Sequence, residues 1–370
     1  MRVRLVIALA LGLFAAWETY GRLSGHPELN ALDFTYPWRA ASHLLAGRDP
    51  YLHMPHAPYT QGGPFLYPLP TAMLVAPLAA WPVSIAGTVF TAISIAVLVF
   101  ALTARAYWPL ITLLSAPFFL ALWNVQWSML LVAAALLPGI GWLGVAKPNL
   151  GIVIFAHRPR WSTALGAIVL CVAGLAINPG WPREWLEHLG RQPSPHPPAV
   201  LWPFGFVGLL GLLRWRTTEG RVLAAMTLVP SSAWFYDQLF VMLVPRTWKQ
   251  SLSLGAISWV AFVLVLATQA PINLIDAERA RGVQRIIALG VYLPAAIVVL
   301  RHPNVGVVPA WVERAVGRIP AWLRGRPTPL GTTAMVVTSQ PELVEFPESA
   351  SDPSHASNPA PAREPGGGSG

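Results

Sequence analysis

The chain has 370 residues, 54% of them hydrophobic and only 11% charged, and a formal net charge of +9. A soluble domain carries charge on about a quarter of its residues, so a water-exposed globule is excluded; between Asp49 and Glu184 there is no acid at all. The excess of positive charge does not point to nucleic acid, because the basic residues are scattered between apolar runs instead of gathered in one domain.

Arg2 and Arg4 precede an apolar run that ends at Trp17. Such a pattern suits a signal peptide or a first membrane span. No small-x-small cleavage site follows, and the chain continues with Glu18, Tyr20 and Arg22, so residues 1–20 are read as an uncleaved span with its N-terminus in the cytoplasm. Residues 21–68 then form the longest loop expected outside. Within it Pro37 suits a first helical position and Gly47 the residue just past a helix end. Between them Trp38, Ala41, Leu44 and Leu45 share one face, and Arg39, Ser42 and His43 another, which predicts a short amphipathic helix in the membrane interface. Asp33 stands just ahead of it, where the helix dipole favours a carboxylate; it reads either as a cap or as a functional acid. Asp49, in Gly47-Arg48-Asp49-Pro50-Tyr51, reads as a turn residue or a second loop acid. His53 and His56 flank Pro55 and have no acid or Cys nearby, so neither a metal nor any other cofactor is expected.

Further apolar runs lie near 83–104, 109–123, 126–145, 161–178, 202–213, 221–231, 236–245, 251–270 and 283–300, ten with the first. Run 69–80 and a break at Pro138-Gly139 raise the count to twelve. The expected fold is an all-α, polytopic membrane protein of 10–12 transmembrane helices, with a multi-span domain over 69–300. Several runs are shorter than the roughly 20 residues a crossing needs, which predicts tilted, half-buried or broken helices. Arg158 and Arg160, Arg214, Arg216 and Arg221, Arg246 and Lys249, and a basic segment over 301–324 all fall on the cytoplasmic side, as the positive-inside rule requires. Arg279, Arg281 and Arg285 fall outside; either a span is misplaced there or they meet anionic lipid.

Two charges interrupt the apolar stretches. Lys147 is the first lysine of the chain; it either snorkels to the interface or meets a lipid phosphate. Asp237 lies between two half-length runs, so its side chain is either hydrogen-bonded by Tyr236 or Ser232 or functional, with its place at the apex of a helical pair bringing it near the Asp33 loop. The outer loop 178–200 places Trp181, Trp185 and Leu189 on one helical face and Arg183, Glu184 and Glu187 elsewhere, so it too is expected on the membrane. Beyond residue 325 the composition turns to Pro, Ser, Ala and Glu, which favours disorder, and the final Gly-Gly-Gly-Ser-Gly reads as an added linker.

Several of these landmarks recur together. Asp33, the aromatic Tyr36, the run Leu45, Gly47, Arg48, Asp49, Pro50, Tyr51, and then Leu66, Tyr67, Pro68 and Pro70 resemble the first-loop block of glycosyltransferase family 87. Gln126, Lys147-Pro148-Asn149 and Tyr236-Asp237 followed by Pro245 are similar to its later landmarks, so the resemblance spans residues 1–300. That family comprises polyprenyl-phosphate-mannose-dependent mannosyltransferases of superfamily C. The resemblance implies transfer of a sugar, mannose by family habit, from a polyprenyl-phosphate donor to a lipid or glycan acceptor at the outer face of the cell membrane. Carried over, Asp33 matches the general base, and Asp237 is a second catalytic candidate. Tyr36, Arg39, Arg48, Asp49, Tyr51, Lys147, Arg183 and Tyr236 are candidates for substrate contact, the cations among them offsetting the lipid phosphate. The competing readings are a transporter or lipid flippase, which usually shows internal repeats that this sequence lacks, and a non-catalytic membrane subunit.

Overall fold

The computed structural model describes residues 1–54, 64–191, 197–201, 204–231, 234–269, 277–308 and 310–316, and these are helical throughout, with no β-strand among them. His56, Ser232 and the tail beyond 316 lie outside the described residues, as does the side chain of Arg279.

Among the described residues four helical stretches are long and apolar enough to cross a membrane: α1 (Arg2–Gly25), α5 (Val83–Leu102), Trp248–Thr268 and Ala280–Leu300. A fifth arises if Trp161–Ile177 and Trp181–Gly190, bent by 100° at their junction, count as one broken span. The described residues thus hold four or five full-length spans and not ten to twelve. The first span runs five residues beyond the expected end at 20, and most other apolar runs are short pieces. These are α6 (Ala116–Trp123), α7 (Ser128–Leu136), α8 (Pro148–His157), α11 (Thr218–Leu228) and four 3-10 segments, Trp108–Leu114, Pro138–Ala146, Gly205–Arg214 and Tyr236–Leu243. Prolines in the first two positions of α6, α8 and Pro138–Ala146 start new helices instead of extending old ones. A 3-10 helix rises about 2.0 Å per residue against 1.5 Å for an α-helix. The nine residues of Pro138–Ala146 and the ten of Gly205–Arg214 therefore reach about 18–20 Å, still short of the ~30 Å hydrocarbon core.

Two of the 3-10 segments lie backbone to backbone on the helix that follows. A Cβ on Gly151 of α8 would sit 2.6 Å from the Gly144 carbonyl oxygen, and one on Gly211 would sit 2.5 Å from that of Gly220 in α11. Such close approach lets short segments gain dispersion contact in place of length.

Side-chain contacts sort the segment ends into two groups. In the first, Arg4 Nη2 donates to Phe100 O (2.8 Å), Arg221 Nε to Ala156 O (2.8 Å), Arg214 Nη2 to Leu300 O (2.9 Å), and Arg216 Nη2 pairs with Glu313 Oε2 (2.7 Å) of α15 (Ala310–Val316). These are the segments expected on one side by their arginines. In the second group, Trp38 Nε1 donates to Trp81 O (3.1 Å), Asn178 Nδ2 to Asp49 Oδ2 (3.0 Å) and Trp185 Nε1 to Leu66 O (3.0 Å), joining the two loops expected on the other side. Arg281 and Arg285 begin the span that ends at Leu300, so they lie on the second face, against the arginine bias. We call these the arginine face and the Asp33 face.

The amphipathic helix forms as α2 (Thr35–Leu45), two residues earlier than Pro37 suggested. Its buried residues are Pro37, Ala40 and Ala41, with Trp38 and Leu44 half-buried and Leu45 exposed. The face is thus rotated from the one expected, because α2 packs on α4 (Leu69–Val75). Gly47 follows it at φ +68°, the left-handed conformation that favours glycine after a helix.

Candidate functional site

After α1 the chain makes two single 3-10 turns, Pro27–Leu29 and Leu32–Phe34, and the second carries Asp33. The Asp33 amide donates to Asn124 O (3.3 Å), which ties this loop to the link between α6 and α7. Asp33 does not cap α2, since the residue in the cap position is Phe34 and no side chain bonds there. Its carboxylate instead turns into the protein. Gln126 Nε2 and the Tyr236 hydroxyl (3.2 Å) both donate to Asp33 Oδ2. Oδ1 has no hydrogen-bond partner among the described residues, and the residue is only half-buried.

Behind this carboxylate lies a continuous polar chain. Lys147 Nζ donates to Gln126 Oε1 (3.0 Å) and to Asp237 Oδ1 (3.1 Å), and it lies 4.9 Å from the centre of the Tyr236 ring. The Asp237 residue is 2% exposed and the Lys147 side chain 13%. A cation so placed does not snorkel; its charge is met by a carboxylate, an amide oxygen and an aromatic face. Because Lys147 can only donate, it requires the Gln126 oxygen, and that leaves the Gln126 amide nitrogen to point at Asp33. Asp237, Lys147, Gln126 and Asp33 thereby form one oriented line drawn from four separate segments.

The backbone beside these residues is strained. Among the described residues four non-glycine residues have positive φ: Asn30, Leu32 (48°), Val125 (51°) and Phe235 (64°). Three of them immediately precede Asp33, Gln126 and Tyr236. For a β-branched residue such as Val125 this conformation is a genuine outlier, and each such residue costs on the order of 1–3 kcal/mol. Strain concentrated on three neighbours of one polar cluster marks the place where geometry is held against local preference.

Burial raises the Asp33 carboxyl to about 6 from its ordinary value. The Lys147 charge and the Tyr236 hydroxyl act in the opposite direction, and Asp237 adds to the rise.

A second polar group lies on the same face. Asp49 caps the short helix α3 (Pro50–His53), its Oδ1 accepting from Tyr51 N (2.8 Å), while Asn178 Nδ2 bridges Asp49 Oδ2 and Glu184 Oε2 (2.9 Å). Asp49 is therefore a turn and loop-joining residue. Tyr51 is buried and its hydroxyl donates to Tyr67 O (2.9 Å). Arg183, its side chain 87% exposed on Trp181–Gly190, pairs with Glu187 (2.8 Å), and Arg48 is exposed. Tyr36 and Arg39 are half-buried on α2. Of the ten residues picked from sequence, the printed contacts join Asp33, Lys147, Tyr236 and Asp237 into one cluster.

Two neighbours were not among those ten. Gln126, fully buried, is the central link. Arg22, near the end of α1, stacks 4.7 Å over the Trp123 ring, and its Nη1 is buried with no hydrogen-bond partner among the described residues. It lines a cavity of ≈ 720 Å³ with Trp17, Glu18, His26, Glu28 and Trp123. Trp123 directly precedes Asn124, which anchors Asp33. Gln126 is visible in the sequence only as a landmark of the resemblance, and Arg22, near the end of an apolar helix, carries no periodic signal that singles it out. No family model, no curated protein and no solved structure matches the chain.

Proposed function

We propose that this protein is a membrane glycosyltransferase that passes a sugar from a polyprenyl-phosphate donor to a hydroxyl of a lipid or glycan acceptor. The observation that carries the reading is Asp33, with one carboxylate oxygen fixed by Gln126 and Tyr236 and the other open. In the proposed step Asp33 Oδ1 takes the proton of the acceptor hydroxyl as that oxygen bonds to the anomeric carbon. The bond from that carbon to the phosphate oxygen breaks, and its electron pair leaves with the polyprenyl phosphate. A base with a pKa near 6 is matched to this task near neutral pH. Lys147 is already held by Asp237, so its role in this reading is to orient Gln126, and the leaving phosphate is assigned to Arg22, whose Nη1 lacks a partner among the described residues. The Asp33 face is read as the outer face and the arginine face as cytoplasmic, by the bias of the arginines.

A transporter is the second reading, favoured by one observation: the buried Lys147–Asp237 pair is of the kind found along ion paths through membranes. One experiment separates the two. Purified protein is given polyprenyl-phosphate mannose and a lipid acceptor, with Asp33→Asn and Asp49→Asn compared to wild type. Asn keeps the size of Asp but cannot take the proton. Transfer should fall about 10²–10⁴-fold in Asp33→Asn, the usual share of general-base catalysis, and persist in Asp49→Asn. Full transfer by a folded Asp33→Asn protein overturns the catalytic assignment.

A further inference from the structure

The arginine face holds a second cavity, ≈ 310 Å³, on which the ends of α5, α7, α8, α11 and the segment Tyr236–Leu243 converge. Its charged walls are Arg105, Arg158 and Glu219, with His157 beside them. The acid is already closed off: Arg246 donates to both Glu219 oxygens at 2.8 Å. The two arginines have no acid partner among the described residues. Arg105 is exposed, and the Arg158 guanidinium makes one long contact, 3.4 Å to Leu136 O. His157 is 6% exposed; its ring hydrogen-bonds the Ala135 backbone, and its Nδ1 is buried without a partner among the described residues. Burial first, then the nearby charges of Arg105 and Arg160, lower Arg158 from its ordinary value, as expected of like charges gathered with no counter-ion.

We infer that this cavity binds a phosphate group, with Arg105 and Arg158 as its charge partners. Planar guanidiniums match a phosphate in two-pronged fashion. The volume is that of a small-ligand pocket. Its position where apolar segments end is the level of lipid headgroups, so an anionic phospholipid is the expected source. A soluble phosphate compound shares the same chemistry. This site stands apart from the Asp33 cluster and does not depend on the reading given to it.

The test uses the full chain in detergent, with native mass spectrometry counting bound phosphatidylglycerol and, separately, thermal shift with inorganic phosphate. Wild type should bind phosphatidylglycerol about tenfold or more tightly than Arg105→Gln/Arg158→Gln, the effect expected from losing charge-assisted hydrogen bonds. Arg105→Gln alone removes an exposed side chain that the fold does not use, so it guards against misfolding and should still weaken binding several-fold. Arg105→Lys/Arg158→Lys should retain part of it. Stabilisation by inorganic phosphate with no lipid retention, lost in the same variants, assigns the site to a soluble phosphate. Equal binding of lipid and phosphate by wild type and all variants, or binding of neither, overturns the inference.

Discussion

The two polar regions of this molecule handle charge in opposite ways. In the Asp33 cluster the cation, Lys147, is buried and met on three sides by Asp237, Gln126 and Tyr236. On the arginine face Arg105 and Arg158 border a cavity whose only acid is taken by Arg246. A compensated cluster holds its parts in place, because moving any member leaves another buried and unpaired. An uncompensated one attracts what it lacks. The first is built to fix a geometry and the second to receive an anion, and the contrast teaches that charge count alone does not tell a site from a scaffold.

The comparison breaks first on sidedness, where the expected effect is all or none. In a Cys171→Ser background, Arg48→Cys and Arg105→Cys, both at exposed positions, should be labelled from opposite sides of sealed vesicles by an impermeant thiol reagent. Labelling of both from one side ends the two-face description.

Stability comes next. Lys147→Met leaves Asp237 at 2% exposure without its cation, and removing one partner of a buried pair costs about 3–5 kcal/mol. Thermal melting in detergent should show the loss, and Lys147→Met/Asp237→Leu should recover most of it. Full stability of the single variant would mean the pair holds nothing.

The pH dependence sharpens the role of Asp33. Its folded value is raised, so the native state binds that proton more tightly than the unfolded chain does. Its contribution to stability is complete below the ordinary carboxylate value and is lost as pH rises through about 6. Transfer activity should run the other way, rising as Asp33 ionises near pH 6. Tyr236→Phe removes a hydroxyl that lowers this value, so the acid limb of the rate profile should move to higher pH. An unmoved limb would assign it to another group.

The smallest effect is expected at Arg183. Its partner Glu187 is one turn away on an exposed helix surface, so Arg183→Ala should leave both the melting temperature and the apparent donor affinity unchanged. A clear rise in donor requirement would restore Arg183 to the substrate site.

Local sequence determined a good deal. Apolar runs of sufficient length became α1 and α5, the Pro37–Gly47 pattern became an amphipathic helix with Gly47 beyond its end, and the arginine positions sorted the segment ends into two groups. Lys147 and Asp237 stood out because a charge among apolar residues is costly wherever it lands, and Asp33 because it stands just ahead of the amphipathic helix. These signals are legible because propensity, periodicity and solvation act within a few residues. Tertiary structure alone decided the rest. Prolines mark where the short runs break, but which pieces become 3-10 rests on contacts such as Gly144 on Gly151, which no run length encodes. The partners of Asp33 stand 93 residues away at Gln126 and 203 away at Tyr236, and Asn178 reaches Asp49 across 129. Leu32, Val125 and Phe235 hold a backbone conformation that their own side chains disfavour, so local preference argues against it and only the packing around the cluster can impose it.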